Sequence, residues 1–187
     1  MGTLIKFTNT SGRVAFDRHL LGQDTERVLK EYDVVDVPVP ADTNKVQSQH
    51  KPPLSGVRVL EMTNVIAGPV AGRCLGDLGA DMVKMEPPYG DISRATNSPY
   101  FLHLNSNKRS ISVNTKTDAG REIAQRLAAV SDVMLANMRP GATDRMGLSR
   151  ADLDSYNPTI IEAHTTAFGW SGPFSHRPGV DPLAQGW

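Results

Sequence analysis

The sequence predicts an α/β fold in which helices cover a doubly wound, mostly parallel sheet. From Leu54 onward, short apolar segments alternate with segments of helical periodicity, and this alternation is typical of βαβ units. The chain has 187 residues, which suffice for one compact domain and are too few for two large ones. A hydrophobic content of 39% permits a buried core.

Five candidate strands follow one another along the chain. They are expected at Val57–Glu61, Met82–Glu86, Ser110–Asn114, Val133–Ala136 and Ile160–His164. Between the first two strands, Pro69 is expected to be the first residue of a helix that runs to about Leu78. Gly79 is expected to end that helix, because glycine readily adopts the backbone conformation found after a helix terminus.

Two later helices are predicted from their first residues. Thr117 or Asp118 is expected to begin a helix that continues to about Val130. Ser149 and Asp152 fit a capping box, in which each side chain binds the other's backbone N–H, so a short helix is expected there.

The first 53 residues differ in character from the rest. Residues 1–33 contain Leu20–Tyr32, an apolar-spaced stretch whose helix is expected to begin at Asp24 or Thr25. Residues 34–53 contain four prolines separated by polar residues, a composition typical of a linker.

Composition excludes several classes of protein. Lys+Arg and Asp+Glu number 20 each, so nucleic-acid binding through bulk positive charge is not expected. No apolar run approaches the roughly 20 residues that a membrane span requires. The single cysteine excludes a disulfide scaffold and favours a reducing compartment. A soluble cytoplasmic protein without nucleic-acid or membrane partners is therefore expected.

The first candidate site is the predicted turn Thr63–Pro69 between a strand and a helix. In an open parallel sheet, ligands bind beyond the carboxyl ends of the strands. A helix N-terminus there offers free backbone N–H groups that suit phosphate. The turn lacks a Gly-x-Gly-x-x-Gly pattern, so its spacing is compatible with a nucleotide site and with an ordinary βα connection.

Two basic segments are further candidates. Asn105–Ser110 precedes a predicted strand, and its Lys108 and Arg109 could hold phosphates or belong to a solvated turn. Asn137–Gly141 follows a predicted strand together with Arg145. Arg145 could reach a phosphate or pair with a carboxylate, and the sequence leaves both possibilities open.

The histidines and the cysteine indicate no metal site. No pair among the histidines has metal-ligand spacing; they are His19, His50, His103, His164 and His176. His164, at the end of a predicted strand, is expected to be a structural histidine with a hydrogen-bond partner. Cys74 lies in an apolar helical segment and is expected in the core rather than as a nucleophile.

Residues 53–187 contain a series of short motifs in a characteristic order. They are Pro53–Glu61, Ala67–Pro69, Leu75–Pro88, Tyr100–Phe101, Asn105–Ser110, Lys116–Arg121, Asp132–Leu148, Asn157–Pro158, Phe168–Pro173 and Arg177–Asp181. Each motif is common, but the ordered set is specific. It resembles the family III coenzyme A transferases, also called the CaiB/BaiF family. The resemblance implies the Rossmann-like large domain of such an enzyme, incomplete in this chain.

The resemblance also implies a reaction. In this family a catalytic aspartate attacks an acyl-CoA thioester, and an aspartyl-CoA thioester forms before the acceptor acid takes the CoA. CoA is then a substrate rather than a permanently bound cofactor, and acyl-CoA and a carboxylic acid are the partners. A homodimer is implied for the full-length protein. The catalytic aspartate is expected beyond Trp187, and Asp181 belongs to a different loop, so no catalytic residue is assigned within this chain.

The resemblance implies CoA contacts at Val65, Ile66, Ala67, Val113, Asn114, Thr115, Lys116, Asn137, Met138, Arg139 and Arg145. Some relatives have a glutamine at the position of Ile66, which has no hydrogen-bonding group. Racemases of the family have a histidine base at the position of Val180, and a valine cannot transfer a proton. A racemase or isomerase of acyl-CoA and a non-catalytic CoA-binding module are the alternative functions.

The N-terminal segment resembles the other end of a family III chain. Ile5–Thr10 and His19–Leu29 look like the C-terminal tail, which in the family packs on the large domain. Residues 1–33 would then be the tail of a preceding unit, 34–53 a linker and 54–187 the N-terminal part of the CoA-binding domain. Such an arrangement would arise in an excerpt of a tandem fusion. An amphipathic extension that resembles the tail by chance is the alternative.

Overall fold

The structure is a computed structural model and describes residues 19–32, 51–95 and 99–186. The motif Ile5–Thr10 and most of the predicted linker at 34–53 lie outside the described residues. Among the described helices, none is long and apolar enough to cross a bilayer.

Five parallel strands form one sheet. They are β1 (Arg58–Met62), β2 (Asp81–Glu86), β3 (Lys108–Ser112), β4 (Val133–Ala136) and β5 (Ile161–His164). Their order across the sheet is β3-β2-β1-β4-β5, and every neighbouring pair is parallel. This is the doubly wound Rossmann order, in which the direction of winding reverses between β1 and β4. The predicted fold class is confirmed.

The strand bounds agree with the predictions to within one residue except at β3. That strand begins at Lys108 and ends at Ser112, two residues before its predicted span. Lys108 pairs in register with Met82 of β2, and its side chain is buried. The predicted start was wrong because two adjacent cations suggest a solvated turn when their buried partners are unknown.

Seven helices and a short 3₁₀ turn accompany the strands in the described residues. The helices are α1 (Thr25–Glu31), α2 (Ala67–Asp77), α3 (Ile92–Ala95), α4 (Pro99–Leu104), α5 (Asp118–Ala129), α6 (Arg150–Tyr156) and α7 (Asp181–Gln185), and the 3₁₀ turn is Asp144–Met146. Thr117 caps α5 by accepting a hydrogen bond from the Gly120 N–H at 3.1 Å. Ser149 and Asp152 form the predicted capping box of α6.

The predicted start of α2 was wrong. The helix begins at Ala67, so Pro69 is its third residue rather than its first. A proline is tolerated there because the first four N–H groups of a helix have no partner within the helix. The turn between β1 and α2 therefore ends two residues earlier than predicted.

Both faces of the sheet are buried, as a doubly wound fold requires. Successive residues of a strand point to opposite faces, and β1 shows this alternation. Leu60 packs in a large core cluster that includes residues of α1, α5 and α6, whereas Val59 packs in a smaller cluster with Ala71 and Leu75 of α2. The sheet thereby holds the ends of all its strands in fixed positions.

The N-terminal helix α1 covers the edge strand β3. Val28 is fully buried in the larger core cluster. The Asp24 N–H donates to the Ser110 carbonyl at 3.1 Å, and the Ser110 N–H donates to Asp24 Oδ2 at 3.1 Å. The Tyr32 hydroxyl donates to Asp81 Oδ2 at 2.7 Å. The two hydrogen bonds with Ser110 satisfy backbone groups that an uncovered edge strand would leave open to another chain.

Candidate functional site

A cavity of about 750 Å³ lies beyond the carboxyl ends of β1, β2, β3 and β4. Its wall contains Asn64, which comes shortly after β1. It also contains Glu86, the last residue of β2. Met138 and Arg139 follow β4 and line the opposite side. The cavity thus adjoins the point where the order of winding reverses, which is where open α/β sheets bind ligands.

Four cationic side chains line this cavity: Lys116, Arg121, Arg139 and Arg145. Arg121 pairs with Asp118 and also donates to the Lys116 carbonyl. The other three cations are exposed, and within the described residues none of them forms an ion pair. Exposed cations without carboxylate partners are suited to binding phosphate groups of a ligand.

Apolar side chains form the rest of the lining. Met85, Val113, Met138 and Met146 are half-buried or buried and face the cavity. Tyr89 lies at the rim with 81% of its surface exposed. An apolar floor with a few polar groups around it is the usual composition of a site for an organic ligand. The lining therefore suits a molecule with both apolar and phosphate parts.

Glu86 brings a negative charge to the cavity wall. Its carboxylate accepts hydrogen bonds from Arg94 at 2.6 and 2.7 Å and from the Ser110 hydroxyl at 2.7 Å. Burial alone would raise the pKa of Glu86, but the Arg94 hydrogen bonds, the Lys84 charge and the Ser110 hydrogen bond together lower it. Glu86 is therefore an ionised anchor for Arg94 rather than a proton donor.

The turn after β1 is joined to the turn after β4 by one side chain. The Asn64 N–H donates to Asn137 Oδ1 at 2.8 Å, and Asn137 Nδ2 donates to the Asn64 carbonyl at 2.7 Å. Both polar atoms of the Asn137 amide are thus used within the protein. The contact fixes the spacing of the two turns across the reversal point.

Val65 has an unusual backbone conformation in the turn before α2. Its φ is +68°, in the left-handed region that β-branched residues rarely adopt. That conformation costs about 1–2 kcal/mol for a residue with a side chain. Its N–H donates to Asp91 Oδ1 at 3.2 Å. Val65, Ile66 and Ala67 are all exposed beside the cavity.

Below the cavity, Lys108 crosses the interior from β3 to β1. Its ammonium lies 2.9 Å from the Glu61 carboxylate and donates to the Pro69 carbonyl at 2.8 Å. Lys108 is 2% exposed and Glu61 is fully buried. Burial lowers the pKa of Lys108 to about 8, and the Glu61 charge limits the decrease. The pair joins the first turn of α2 to the sheet.

A second buried pair lies beside the first. The Lys84 ammonium lies 3.1 Å from Asp91 Oδ2 and 3.5 Å from Glu61 Oε1, and it donates to the Thr63 carbonyl at 2.7 Å. The two lysines and two carboxylates sum to zero charge, which makes their burial tolerable. The cluster supports the floor of the turn that contains Val65.

The basic segment Asn105–Ser110 is neither a solvated turn nor a source of free cations. All six of its residues are buried. Lys108 pairs with Glu61, and Arg109 pairs with Asp81 and Glu31. Both predictions for this segment were wrong because its cations already have carboxylate partners inside the protein.

The structure brings most of the predicted contact positions to one place. Those that line the cavity are Val113, Thr115, Lys116, Met138, Arg139 and Arg145. Val65 and Ile66 lie in the adjoining turn, and Ala67 begins α2. Asn137 holds that turn through Asn64. The exposed Asn114 accepts a hydrogen bond from the Lys116 N–H at 3.2 Å. The roles of these residues toward CoA remain a prediction.

Eight residues that line the cavity were not among the predicted CoA contacts: Asn64, Met85, Glu86, Pro87, Tyr89, Arg121, Ala142 and Met146. Asn64 and Glu86 could have been found, because each lies at the carboxyl end of a correctly predicted strand. Arg121 lies in the first turns of α5, and the Lys116–Arg121 motif pointed to it. Tyr89 gave no sequence signal beyond its loop position.

A second cavity of about 520 Å³ lies between the end of β5 and the start of α6. His164 contacts Glu162 at 3.2 Å and the edge of Trp170 at 4.8 Å between ring centroids. Arg150 also pairs with Glu162, at 3.0 Å. The predicted hydrogen-bond partner of His164 is present, and its purely structural role stays a prediction. Cys74, predicted to be a core residue, is half-buried on α2.

Comparison with known proteins identifies the family. The sequence model of CoA-transferase family III matches residues 54–187. The chain belongs to CoA-transferase family III. The resemblance noted from the motifs is thereby confirmed, and the cavity described above is a feature of a family III chain.

Two relatives of this family III chain show the degree of similarity. Succinyl-CoA:glutarate CoA-transferase of Mus musculus is 46% identical over 141 residues, which cover 71% of this chain and 32% of the relative. Formyl-CoA:oxalate CoA-transferase of Streptomyces avermitilis is 46% identical over 139 residues, covering 71% and 34%. The family III chain spans about a third of the length of these curated relatives.

A solved structure supports the same assignment. The crystal structure of Rv3272 from Mycobacterium tuberculosis superposes on this family III chain with a TM-score of 0.70 and 42% sequence identity. The matched region covers 73% of this chain and 38% of the other.

Proposed function

We propose that the cavity binds the nucleotide end of coenzyme A. The observation that supports this most directly is the set of three exposed cations without ion-pair partners in the described residues, Lys116, Arg139 and Arg145, around an apolar floor. The nucleotide end of CoA carries phosphate groups next to a base with flat aromatic faces. Cations at the rim would hold the phosphates, and the methionines and Val113 would contact the base.

The turn Val65–Ala67 would receive the thioester end of the same molecule. It adjoins the cavity and is exposed, with a fixed conformation. Its position before α2 places backbone groups near the reversal point of the sheet. Ile66 contributes an apolar surface there and no hydrogen bond. CoA is on this proposal a substrate that enters and leaves, not a resident cofactor.

The reaction would be transfer of CoA from an acyl-CoA to a carboxylic acid. An aspartate carboxylate would attack the thioester carbonyl carbon, the C–S bond would break, and the CoA thiolate would leave with the bonding electron pair. The thiolate would then attack the aspartyl carbonyl of the resulting mixed anhydride, which releases the donor carboxylate and gives the aspartyl-CoA thioester that the acceptor acid consumes. The nucleophile is expected outside residues 1–187, in a homodimer of the full-length cytoplasmic protein.

Two alternatives predict different chemistry. A racemase would need a base where Val180 stands, and the valine side chain cannot accept a proton. A non-catalytic CoA-binding module would use the same cavity without transfer. CoA binding is common to the module and the transferase. A measurement of CoA binding therefore tests the site and does not distinguish these two functions.

The organisation of the chain is part of the proposal. Residues 1–33 would be the tail of a preceding unit, followed by the linker 34–53 and by the CoA-binding domain from residue 54. The contacts of α1 with β3 support this, because the C-terminal tail of a family member packs on the large domain in the same sense. Val28 of α1 is fully buried, and Asp24 accepts a hydrogen bond from the Ser110 N–H. A chance extension would not be expected to contribute buried hydrogen bonds.

Calorimetric titration of the chain with CoA tests the proposal. CoA is expected to bind, whereas pantetheine, which lacks the nucleotide, is expected to bind at least about tenfold more weakly because a charged hydrogen bond is worth about 1.5–3 kcal/mol. Arg145→Gln should weaken CoA binding by a similar factor. Lys51→Gln, an exposed charge change outside the cavity lining, is the control. No heat with millimolar CoA, or equal binding of pantetheine, would overturn the proposal.

A further inference from the structure

The turn that adjoins the cavity is held from the side of β2 by one carboxylate. Asp91 follows β2 in the chain and is 1% exposed. Its Oδ1 accepts a hydrogen bond from the Val65 N–H at 3.2 Å. Val65 has a φ of +68° and is 43% exposed. Its side-chain packing therefore gives little reason for the disfavoured conformation, and the hydrogen bond to Asp91 is a contact at this residue that opposes its relaxation.

Asp91 is itself fixed from several directions. Its Oδ1 accepts from the Ser93 N–H at 2.9 Å and from the Ser93 hydroxyl at 2.6 Å. Its own N–H donates to Glu86 Oε1 at 2.9 Å. A carboxylate held this closely cannot follow the Val65 N–H if the turn moves, so it defines the position of that group.

Lys84 keeps this carboxylate charged. The ammonium lies 3.1 Å from Asp91 Oδ2, at angles that make the contact an ion pair rather than a hydrogen bond. Burial favours the neutral acid, but the Lys84 charge and the hydrogen bonds from Ser93 and Val65 hold the pKa of Asp91 below its usual value. An ionised carboxylate only accepts hydrogen bonds, which matches the donors that surround it.

The same ammonium also reaches the other end of the turn. Lys84 donates to the Thr63 carbonyl at 2.7 Å. The residue between, Asn64, is held by Asn137 from the side of β4. The turn is therefore held at Thr63, Asn64 and Val65 in succession, and Asp91 is the contact nearest to its exposed tip.

We propose that Asp91 is a positioning residue, whose carboxylate holds the Val65 N–H and so keeps Val65–Ala67 in the conformation that receives the thioester end of CoA. This rests on the proposed function of the turn. Asp91 touches no substrate on this proposal and acts only through Val65. Its effect on CoA binding should therefore depend on the side chain at position 65.

Amide hydrogen exchange at Val65, measured by NMR on the chain without CoA, tests the contact. Asp91→Ala is expected to accelerate exchange of that amide about tenfold, the factor that corresponds to one charged hydrogen bond. Ser93→Ala, which removes another donor to Asp91 and leaves the contact with Val65, is the matched control and should leave that exchange within about twofold. If Asp91→Ala fails to fold, Asp91→Asn keeps the shape and one oxygen and should show a smaller acceleration. Unchanged exchange in the folded variant overturns the proposal.

Rescue by glycine separates positioning from a purely structural role. Asp91→Ala should weaken CoA binding about tenfold. The double variant Asp91→Ala/Val65→Gly should regain much of that loss, because glycine adopts a positive φ without steric cost. A merely structural defect around Lys84 would not respond to a glycine at position 65. Binding that equals wild type in Asp91→Ala, or no rescue in the double variant, overturns the positioning role.

The outcomes distinguish this inference from the proposed function. If the wild-type chain binds no CoA, the proposed function fails, and so does the role of the turn in receiving CoA. The hydrogen-exchange measurement still decides whether Asp91 holds the Val65 N–H. If wild type binds CoA and exchange at Val65 is unaffected by the Asp91 variants, the inference alone fails.

Discussion

The side-chain amide of Asn137 makes two hydrogen bonds with the backbone of Asn64, one accepted from its N–H and one donated to its carbonyl. The two residues are 73 positions apart and follow strands on either side of the reversal point. The amide links the two turns, as a backbone hydrogen bond links two neighbouring strands. It joins the turn that contains Val65 to the turn that contains Arg139.

Removal of this amide should destabilise the protein. Asn137→Ala leaves two half-buried backbone groups without partners and should cost about 1–3 kcal/mol of unfolding free energy, from two hydrogen bonds of about 0.5–1.5 kcal/mol each. Asn137→Asp keeps an acceptor for the Asn64 N–H but places a carboxylate oxygen against the Asn64 carbonyl oxygen, so a loss at least as large as that of Asn137→Ala is expected. Urea denaturation measures both. Equal stability of Asn137→Ala and wild type would contradict the role of the pair.

Gly72 should not tolerate even one added carbon. A Cβ there would lie 2.0 Å from Glu61 Oε2 and 3.1 Å from the Lys108 ammonium. Replacing glycine by alanine within a helix normally stabilises it by about 1 kcal/mol, but here the clash should reverse the sign. We expect Gly72→Ala to lower the midpoint of denaturation substantially.

Gly56→Ala is the control for that substitution. A Cβ at Gly56 meets no atom within 4 Å, and its φ of +93° leaves only backbone strain, which costs about 1–2 kcal/mol. A Gly72→Ala variant that loses no more stability than Gly56→Ala would show that Glu61 and Lys108 can move aside.

Loss of the Lys108 charge should cost more than loss of an exposed lysine. Lys108→Met removes the partner of the buried Glu61 carboxylate, and breaking a buried ion pair in this way costs about 3–5 kcal/mol. Lys84, 3.5 Å from Glu61, remains as a second partner, so the lower end of that range is expected. Lys51→Met, at an exposed position, should change the unfolding free energy by less than about 0.5 kcal/mol. Similar losses in both variants would contradict the assignment.

Salt should weaken CoA binding through the exposed arginines. Interactions between exposed charges are screened as ionic strength rises, so the Kd for CoA should increase between low salt and about 0.5 M salt. Arg139→Gln should raise the Kd at low salt and reduce its dependence on salt, since one of the screened charges is gone. A salt dependence identical to wild type would indicate that Arg139 lies away from the phosphates.

The buried carboxylates predict a loss of stability in acid. The pKa values of Glu86 and Asp91 lie below their unfolded values of 4.5 and 3.8 in the folded protein. Their ionised forms therefore contribute stability that is fully present above pH 4.5 and is lost as the pH falls through the folded pKa values. Unfolding free energy measured from pH 7 downward should begin to fall below about pH 4.5.

Glu86→Gln tests that linkage. The variant should be less stable than wild type at pH 7, where the charge interaction with Arg94 is lost, and its stability should depend less steeply on pH in the acid range. A variant with the same acid slope as wild type would show that Glu86 does not contribute to it.

Prediction from the sequence succeeded where the determining interactions are local. The strands at Val133–Ala136 and Ile160–His164 and the capping box at Ser149 were found from residues within a few positions of each other. The third strand was misplaced, since Lys108 and Arg109 look like residues of a solvated turn. Their partners Glu61 and Asp81 are 47 and 28 positions away.

The sequence by itself determined the α/β class, the order of the elements, the family, and the cations that come after the strand ends. These follow from periodicity, capping chemistry and motif order, all of which act over short stretches of chain. Only the tertiary structure decided which of these cations have no ion-pair partner among the described residues. It buried Lys84, Lys108 and Arg109 against carboxylates and left Lys116 and Arg139 exposed at the cavity. The physical reason is that a charge is buried only where the fold brings an opposite charge to it, and that pairing depends on sheet order rather than on sequence neighbours.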